Sequence, residues 1–439
     1  MRIRFWGTRG SIPTPGRRTM RYGGNTSCVE VRSSAGNLLI LDGGTGLREL
    51  GRALMADTSL PEINILISHT HWDHTQGLAF FTPMTCPQSR ITIYAASSTG
   101  KGVKEVFAQQ MDYLNFPIPL DERQAQIEFR EIGEETFTIG DILVESRFLN
   151  HTILTLGYRL CSGDVHLVYV TDHEPFAPSL YRSGVTDPKP TDIVHIGDRK
   201  HVDFLAGADL VIHDAQYTAD ELSRRRDWGH SSLEYAVEVC VAARAKQLAF
   251  IHHDPDRSDQ ELEQLEMAGQ AYARRLGSDL RVFAAAEGMQ IDLPETSRIP
   301  LVQISGQPSS EIGHRSRILV VDDEPAMVRY LSTVLSRDGY EVLEASNGHE
   351  ALTIVRERTP DLVLLDVMMP EMDGLQVVQV LRASEEFRDL PIVILTALDA
   401  EKDIVRAFES GVNDYIDKPV TPAALRARVR RWLLTRRRG

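Results

Sequence analysis

The sequence predicts an α/β protein of two domains joined by a linker, on three observations. Short apolar runs alternate with helical stretches through residues 1–293. Periodicity then fails over 294–316, where Pro294, Ser297, Pro300, Ser305, Gly306, Pro308, Ser309 and Ser310 gather. Beyond it, residues 317–439 resume with continuous apolar runs, the pattern of a parallel sheet covered on both faces. At 439 residues the chain is also too long for one core.

Within the first domain, strands are predicted at Arg2 to Trp6, Cys28 to Arg32 and Asn37 to Leu41, the last running into Asp42-Gly-Gly-Thr-Gly. Ile63 to Ile67 and Leu167 to Val170 read as buried strands, and Ser232 to Ala245 and Asp259 to Leu276 as helices. In the second domain the strands are Ile318 to Val321, Leu362 to Leu365 and Ile392 to Leu395. Between them Met327, Tyr330, Leu331, Val334 and Leu335 recur at helical spacing and predict one apolar stripe. The two halves share neither motif nor period, so no repeat is expected.

Hydrophobic residues at 42% and charged residues at 25% exclude a largely disordered chain. A net charge of -14 argues against gripping nucleic acid through a general positive field. The basic cluster Arg426, Arg428, Arg430, Arg431 and Arg436 to Arg438 reads as a solvated helix end. Cys28, Cys86, Cys161 and Cys240 show no CxxC spacing, which fits a reducing compartment. No export signal and no run of roughly 20 apolar residues is visible, so a cytoplasmic protein that does not enter membranes is expected.

The most informative peptide is Ser68-His69-Thr70-His71-Trp72-Asp73-His74, placed directly after an apolar strand. Imidazoles two residues apart, then a carboxylate and a third imidazole, present ligands in several directions from one tight loop, as a pair of neighbouring cations needs. Further donors stand at strand ends: His151 after Val144 to Leu149, Asp172 after Leu167 to Val170, and His252 after Leu248 to Ile251.

With Gly7-Thr-Arg-Gly-Ser-Ile-Pro, Tyr22-Gly-Gly-Asn-Thr-Ser-Cys, Asp42-Gly-Gly-Thr-Gly, Asn150-His151, Tyr169-Val-Thr-Asp172, His213-Asp-Ala-Gln-Tyr217, Trp228-Gly-His-Ser231 and His252-His-Asp-Pro255, these motifs resemble the metallo-β-lactamase superfamily across nearly all of residues 1–293. They resemble most the branch with ribonuclease Z and the cyclic phosphodiesterases. The resemblance implies an αββα sandwich in which His69, His71 and His151 hold one metal, Asp73, His74 and His252 the other, and Asp172 bridges them. Zinc is the first choice, with manganese and iron left open. Asp42 would orient a ligand imidazole from behind. Asp73, Asp214 and His230 form the expected catalytic set, Asp214 charging His230 as general acid; the plain reading of His230 is a helix-entry residue with Ser231 as N-cap. His173 and His253 are read as neighbours of ligands, and Arg9, Arg199 and Lys200 as candidate phosphate contacts. The expected substrate is a cyclic nucleotide or similar small phosphodiester, against the alternatives of another ester or lactone, or a scaffold without catalysis.

In the second domain Asp322, Asp323 and Asp366 fall at the ends of predicted parallel strands, a carboxylate set suited to Mg²⁺. With Thr396, Tyr415, Lys418 and Pro419 they resemble the response-regulator receiver family, a (βα)5 flavodoxin-like fold. The resemblance implies Asp366 as phosphoacceptor, Asp322, Asp323, Asp366 and the Met368 carbonyl around Mg²⁺, and Thr396, Tyr415 and Lys418 as switch residues. It also implies a sensor histidine kinase or phosphotransfer protein as partner, and a homodimer through the receiver face.

Overall fold

The computed structural model describes residues 1–56, 62–96, 102–181, 192–294, 316–396, 411–418, 420, 425, 428, 429, 432 and 433. The predicted linker, apart from Pro294 and Ser316, lies outside them, as do Pro419 and, in the basic cluster, every arginine but Arg428. The chain separates into two compact units, the first comprising Met1–Ile193 and Gly197–Ile304, the second built around Ser305–Gly439.

The strands of the first unit are β1 (Arg2–Gly7), β2 (Cys28–Arg32), β3 (Leu38–Leu41), β4 (Ile63–Leu66), β5 (Arg90–Ala95), β6 (Gln126–Glu131), β7 (Glu135–Ile139), β8 (Ile142–Phe148), β9 (Leu156–Ser162), β10 (Val165–Val170), β11 (Leu210–Asp214), β12 (Gln247–Ile251), β13 (Arg281–Ala284) and β14 (Gln290–Asp292). They form two sheets of seven, ordered β14-β1-β2-β3-β4-β5-β6 and β13-β12-β11-β10-β9-β8-β7. In each, a parallel run (β3 to β6, β10 to β13) continues into antiparallel strands.

Alternation of side chains sorts the residues into layers. Leu39 and Leu41 of β3 meet Leu167 and Tyr169 of β10 in the core between the sheets. Leu38 and Ile40 point the other way, onto helices Leu47–Met55 and Val103–Gln110. Val168 and Val170 likewise face helices Ile196–Leu205, Leu233–Ala242 and Asp259–Arg275. The result is the αββα sandwich. Both the Leu233–Ala242 and Asp259–Arg275 helices are capped by a serine side chain, Ser232 and Ser258. Ser231, expected as a cap, instead donates its backbone N–H to Asp214 and its hydroxyl to the His173 carbonyl.

The second unit is one parallel sheet, β15 (Arg317–Val321), β16 (Glu341–Ala345), β17 (Leu362–Asp366), β18 (Ile392–Thr396) and β19 (Asp414–Asp417), ordered β16-β15-β17-β18-β19. That is the doubly wound 2-1-3-4-5 order, in which a ligand site opens at the carboxyl ends of the strands. Leu319, Val321, Val363 and Leu365 face helices Gly348–Arg358 and Gly374–Ala383. Ile318, Val320, Leu362 and Leu364 face the helix Pro325–Arg337. Tyr330 departs from the predicted stripe: the buried positions are Val328, Leu331, Val334 and Leu335, and the Tyr330 ring lies exposed with its hydroxyl donating to the Val420 carbonyl.

Candidate metal centre

The chemistry gathers where strands of the two sheets end. Asp42 follows β3, His69 follows β4, His151 follows β8, Asp172 follows β10, Asp214 ends β11 and His252 follows β12. Asp42, Asp172 and His252 take left-handed backbone, with φ of 61°, 43° and 60°. Such positions are uncommon outside glycine and concentrate where a side chain must be aimed rather than packed.

Three groups of donors result, two made of the expected ligands and a third of Asp172, His230 and His252. His69, His71, His151 and Asp172 bring their ligand atoms within 4.8 Å of one another, as do Asp73, His74 and His252. In the first group His71 Nδ1 lies 3.0 Å from His69 Nε2 and 3.3 Å from His151 Nε2. In the second, His252 Nε2 lies 3.3 Å from His74 Nε2 and 3.1 Å from Asp73 Oδ2. Asp172 divides between them. Its Oδ2 is 3.5 Å from His69 Nε2 and 3.6 Å from His151 Nε2, while its Oδ1 is 3.2 Å from both His74 and His252 Nε2.

The far nitrogens explain why these rings face inward as they do. His74 Nδ1 donates to Asp42 Oδ2 at 2.8 Å, His151 Nδ1 to the Gly229 carbonyl at 2.8 Å, and His252 Nδ1 to Gln216 Oε1 at 3.0 Å. His69 Nδ1 lies 3.0 Å from Ser68 Oγ, whose own proton goes to Asp42 Oδ2. A hydrogen on each Nδ1 fixes the tautomer and leaves a lone pair on each Nε2. Lone pairs packed 3 Å apart repel unless a cation sits among them, so this donor set fits divalent metals.

The electrostatics sort the imidazoles into two kinds. Burial, reinforced by neighbouring imidazoles, holds His69 and His71 below the ordinary histidine range and His151 down to about 3. Burial alone would do the same to His74, but Asp73, Asp172 and Asp42 outweigh it and raise His74. Asp73 and Asp172 are lowered, the imidazoles around them overcoming the cost of burial.

His230 lies alongside. Its ring stacks on His252 at 4.9 Å, and Nδ1 is 3.3 Å from Asp214 Oδ2 and 3.9 Å from Asp172 Oδ2. Asp214 is fully buried and also accepts N–H bonds from Ser231 and Gln216, so its orientation is fixed. Burial disfavours charge on His230, yet Asp214 with Asp172 and Asp73 raises it to about 9. Because Nδ1 gives its hydrogen to Asp214, it lacks the lone pair a metal ligand needs there.

Two glycines of the motifs are explained by close approach. A Cβ on Gly229, whose φ is +83°, would lie 2.1 Å from His151 Nδ1, and one on Gly10 would lie 2.4 Å from His252 Nδ1. Glu174 ties the Gly229 loop down, its carboxylate accepting N–H bonds from Asp227 at 2.9 Å and Gly229 at 2.8 Å. Sequence reading missed Glu174 and the Gln216 and Ser68 contacts, although the latter two lie inside motifs that it singled out.

Other expected residues part from the site. Arg9 is fully buried, its guanidinium donating to the carbonyls of Gly23, Asp254 and Arg257. It braces the loops and is not a phosphate contact. Arg199 donates to the Ile193 carbonyl, and Lys200 is exposed on the same helix. His253 donates to the Ala285 carbonyl and His173 meets Tyr235, so both turn into the core as expected.

In the second unit Asp322, Asp323 and Asp366 bring carboxylate oxygens within 4.8 Å of one another at the strand ends. Lys418 Nζ bridges two of them, 2.8 Å from Asp322 Oδ2 and 2.9 Å from Asp366 Oδ1. Burial raises Asp366 despite that lysine. Thr396 is buried at the end of β18, with its carbonyl bonded to the Lys418 N–H. Met368 has an exposed side chain, Tyr415 lies on β19 opposite Ile394, and the Tyr415 side chain is outside the described set.

Comparison with known proteins agrees with this geometry. The family model of the beta-lactamase superfamily domain matches residues 37–253, and that of the response regulator receiver domain matches 318–430. The chain joins a beta-lactamase superfamily domain to a response regulator receiver domain. The receiver is similar to the DNA-binding response regulator MtrA of Mycolicibacterium smegmatis, 49% identical over 116 residues, which are 26% of this chain and 50% of that protein. The chain thus spans about half the length of the curated relatives it matches. Among solved structures, the metallo-beta-lactamase fold protein YhfI from Bacillus subtilis is 16% identical, covering 66% of this chain and 99% of that one, with a TM-score of 0.47. Human tRNase Z, short form, is 20% identical, covering 67% and 100%, with a TM-score of 0.45. Among the described residues of both domains, no helix is long and apolar enough to cross a membrane.

Proposed function

We propose that the beta-lactamase superfamily domain is a dinuclear-metal phosphodiesterase for a cyclic nucleotide or similar small phosphodiester, controlled by phosphorylation of the receiver. The observation that carries it is the division of the Asp172 oxygens between two histidine groups, with His230 and Asp214 beside them. His69, His71 and His151 would hold one cation, Asp73, His74 and His252 the other, and Asp172 both, with zinc first and manganese or iron as alternatives. Two cations so held would make water acidic enough to attack near neutral pH and would offset charge on phosphoryl oxygens.

The chain's own residues do the rest. Asp42, Gly229 and Gln216 hold the imidazoles in one tautomer. Asp214 holds His230 Nδ1 and keeps the ring charged, so Nε2, the nitrogen that Asp214 does not engage, gives its proton to the leaving alkoxide. In the receiver, Asp366 takes the phosphoryl group from a histidine kinase or phosphotransfer partner, Asp322 and Asp323 share Mg²⁺ with it, and Thr396, Tyr415 and Lys418 respond. The four unpaired cysteines suit the cytoplasm.

The test is hydrolysis of bis(p-nitrophenyl) phosphate and a 3′,5′-cyclic nucleotide by protein loaded with Zn²⁺ or Mn²⁺. His230→Ala should slow turnover by about 10²- to 10⁴-fold with metal content intact. Loss of metal in that variant makes His230 a ligand, and cleavage of esters or lactones but no diester refutes the reading. Unchanged kinetics and oligomeric state with beryllofluoride would sever the receiver from the activity.

A further inference from the structure

The segment Arg224-Arg225-Arg226-Asp227-Trp228 runs into the motif Trp228-Gly-His-Ser231 beside the metal centre. Three consecutive arginines are conspicuous in a chain of net charge -14, and they lead directly into Gly229 and His230. The Trp228 side chain is 60% exposed, although an indole is costly to leave in water.

Its placement is fixed from both sides. Beneath it, Glu174 holds the N–H groups of Asp227 and Gly229, and Asp227 is itself locked in left-handed backbone at φ 66°. Beside it, the Arg225 guanidinium lies 5.9 Å from the Trp228 ring and 4.8 Å from the Tyr217 ring, anchored by a 3.2 Å ion pair with Asp254. Tyr217 in turn meets the His230 ring edge-on at 5.9 Å. From the proton donor outward the order is therefore His230, Tyr217, Arg225, Trp228.

We propose that Trp228, backed by Arg225, is the platform on which the base of a nucleotide diester stacks while its phosphate lies at the metal centre. An exposed indole on a loop held by hydrogen bonds offers a π-face to any base, and an adjacent guanidinium adds attraction for the ring and for the phosphate. Since Arg9 is buried in loop contacts, Arg225, beside the Tyr217 ring that meets His230, and the exposed Arg226 are cations of this segment that can meet an anionic substrate. The inference rests on the phosphodiesterase reading and narrows it to diesters that carry a base.

The experiment uses full-length, zinc-loaded protein with adenosine 3′,5′-cyclic monophosphate and the same cyclic phosphate lacking its base. Trp228→Ala should raise KM for the nucleotide about tenfold, the usual effect of one lost base stack, but KM for the base-free compound less than twofold. Trp228→Phe should recover most of the difference, and Arg225→Gln should raise KM for both. Equal effects on the two compounds, or a discriminating effect in Trp72→Ala with none in Trp228→Ala, would overturn the platform. If the wild type cleaves neither, calorimetric titration of the nucleotide decides: binding lost in Trp228→Ala keeps the platform and refutes the diesterase, and no binding at all refutes the platform.

Discussion

Asp42→Asn tests whether the metal centre is organised as the hydrogen bonds imply. Asp42 is fully buried; its Oδ2 accepts from His74 Nδ1 at 2.8 Å, Ser68 Oγ at 2.9 Å and Tyr169 Oη at 2.7 Å, and its Oδ1 accepts from the Ser68 N–H at 2.7 Å. Asparagine keeps the shape and tolerates the φ of 61°, but one of its two positions becomes a donor. Placed toward Ser68 it opposes one N–H; placed the other way it opposes three hydrogens. Either orientation leaves buried donors unpaired and removes a charge-assisted bond to His74, each such loss costing about 1–3 kcal/mol. Part of that cost falls on metal binding, because His74 can no longer hold its tautomer. Affinity at the His74 group should drop about 10- to 100-fold, or roughly 1.4–2.7 kcal/mol. The His69 group, linked to Asp42 through Ser68, should weaken less. Chelator competition followed by elemental analysis reads this as one metal lost early and one retained. Two metals held at wild-type affinity would show that Asp42 does not support the ligands.

Gly229→Ala should lower stability by about 2 kcal/mol and displace His151, since its Cβ falls on that ring at a φ of +83°; wild-type melting and metal content would refute the loop geometry. Asp198, buried beneath Tyr235 and two N–H groups, is pushed up to about 7 by burial. The folded protein thus binds a proton there that the unfolded chain has lost above roughly pH 4, so this group's contribution falls as pH rises from about 4 to 7, by up to ~1.4 kcal/mol per unit, and is flat above. Urea unfolding at pH 5 and 7 should show that slope in the wild type and not in Asp198→Asn; parallel slopes would mean that the carboxyl is ionised throughout. Strong chelators should destabilise the first domain, by about 4 kcal/mol for each metal that had been present at a thousand times its Kd, and leave the receiver transition nearly in place; a joint shift would contradict the difference between the two sites.

The donors of the metal centre were legible because strand ends and a dense His-x-His-x-Asp-His loop leave few other readings, and the sheet brings such ends to one edge whatever the loops do. What surrounds them was not. The partner of His151 is a backbone carbonyl, which carries no side-chain signature, and only the Gly229 that supplies it hints at the close approach. Glu174 looks like an ordinary acid beside a histidine until the loop 227–229 closes on it. Arg9 misled for a related reason: an arginine in a glycine-rich loop suggests an anion, but the side chain is fully buried and its Nε and Nη1 donate to three carbonyls. Tyr330 shows the limit of periodicity, which locates a helix but leaves its flank positions undecided by one residue.

The two domains solve opposite problems with similar groups. In the receiver, Lys418 places a covalently fixed cation between Asp322 and Asp366, so the carboxylates are balanced before any ion arrives. A phosphoryl group on Asp366 would add negative charge that the lysine must turn to meet, which is what a reversible switch requires. The metal centre is built differently: Asp42, the Gly229 carbonyl and Gln216 pin imidazoles from behind, and the ring nitrogens opposite converge on one another. Cations would relieve the repulsion among those nitrogens, so the hydrogen bonds that orient the ligands would also favour tight metal binding.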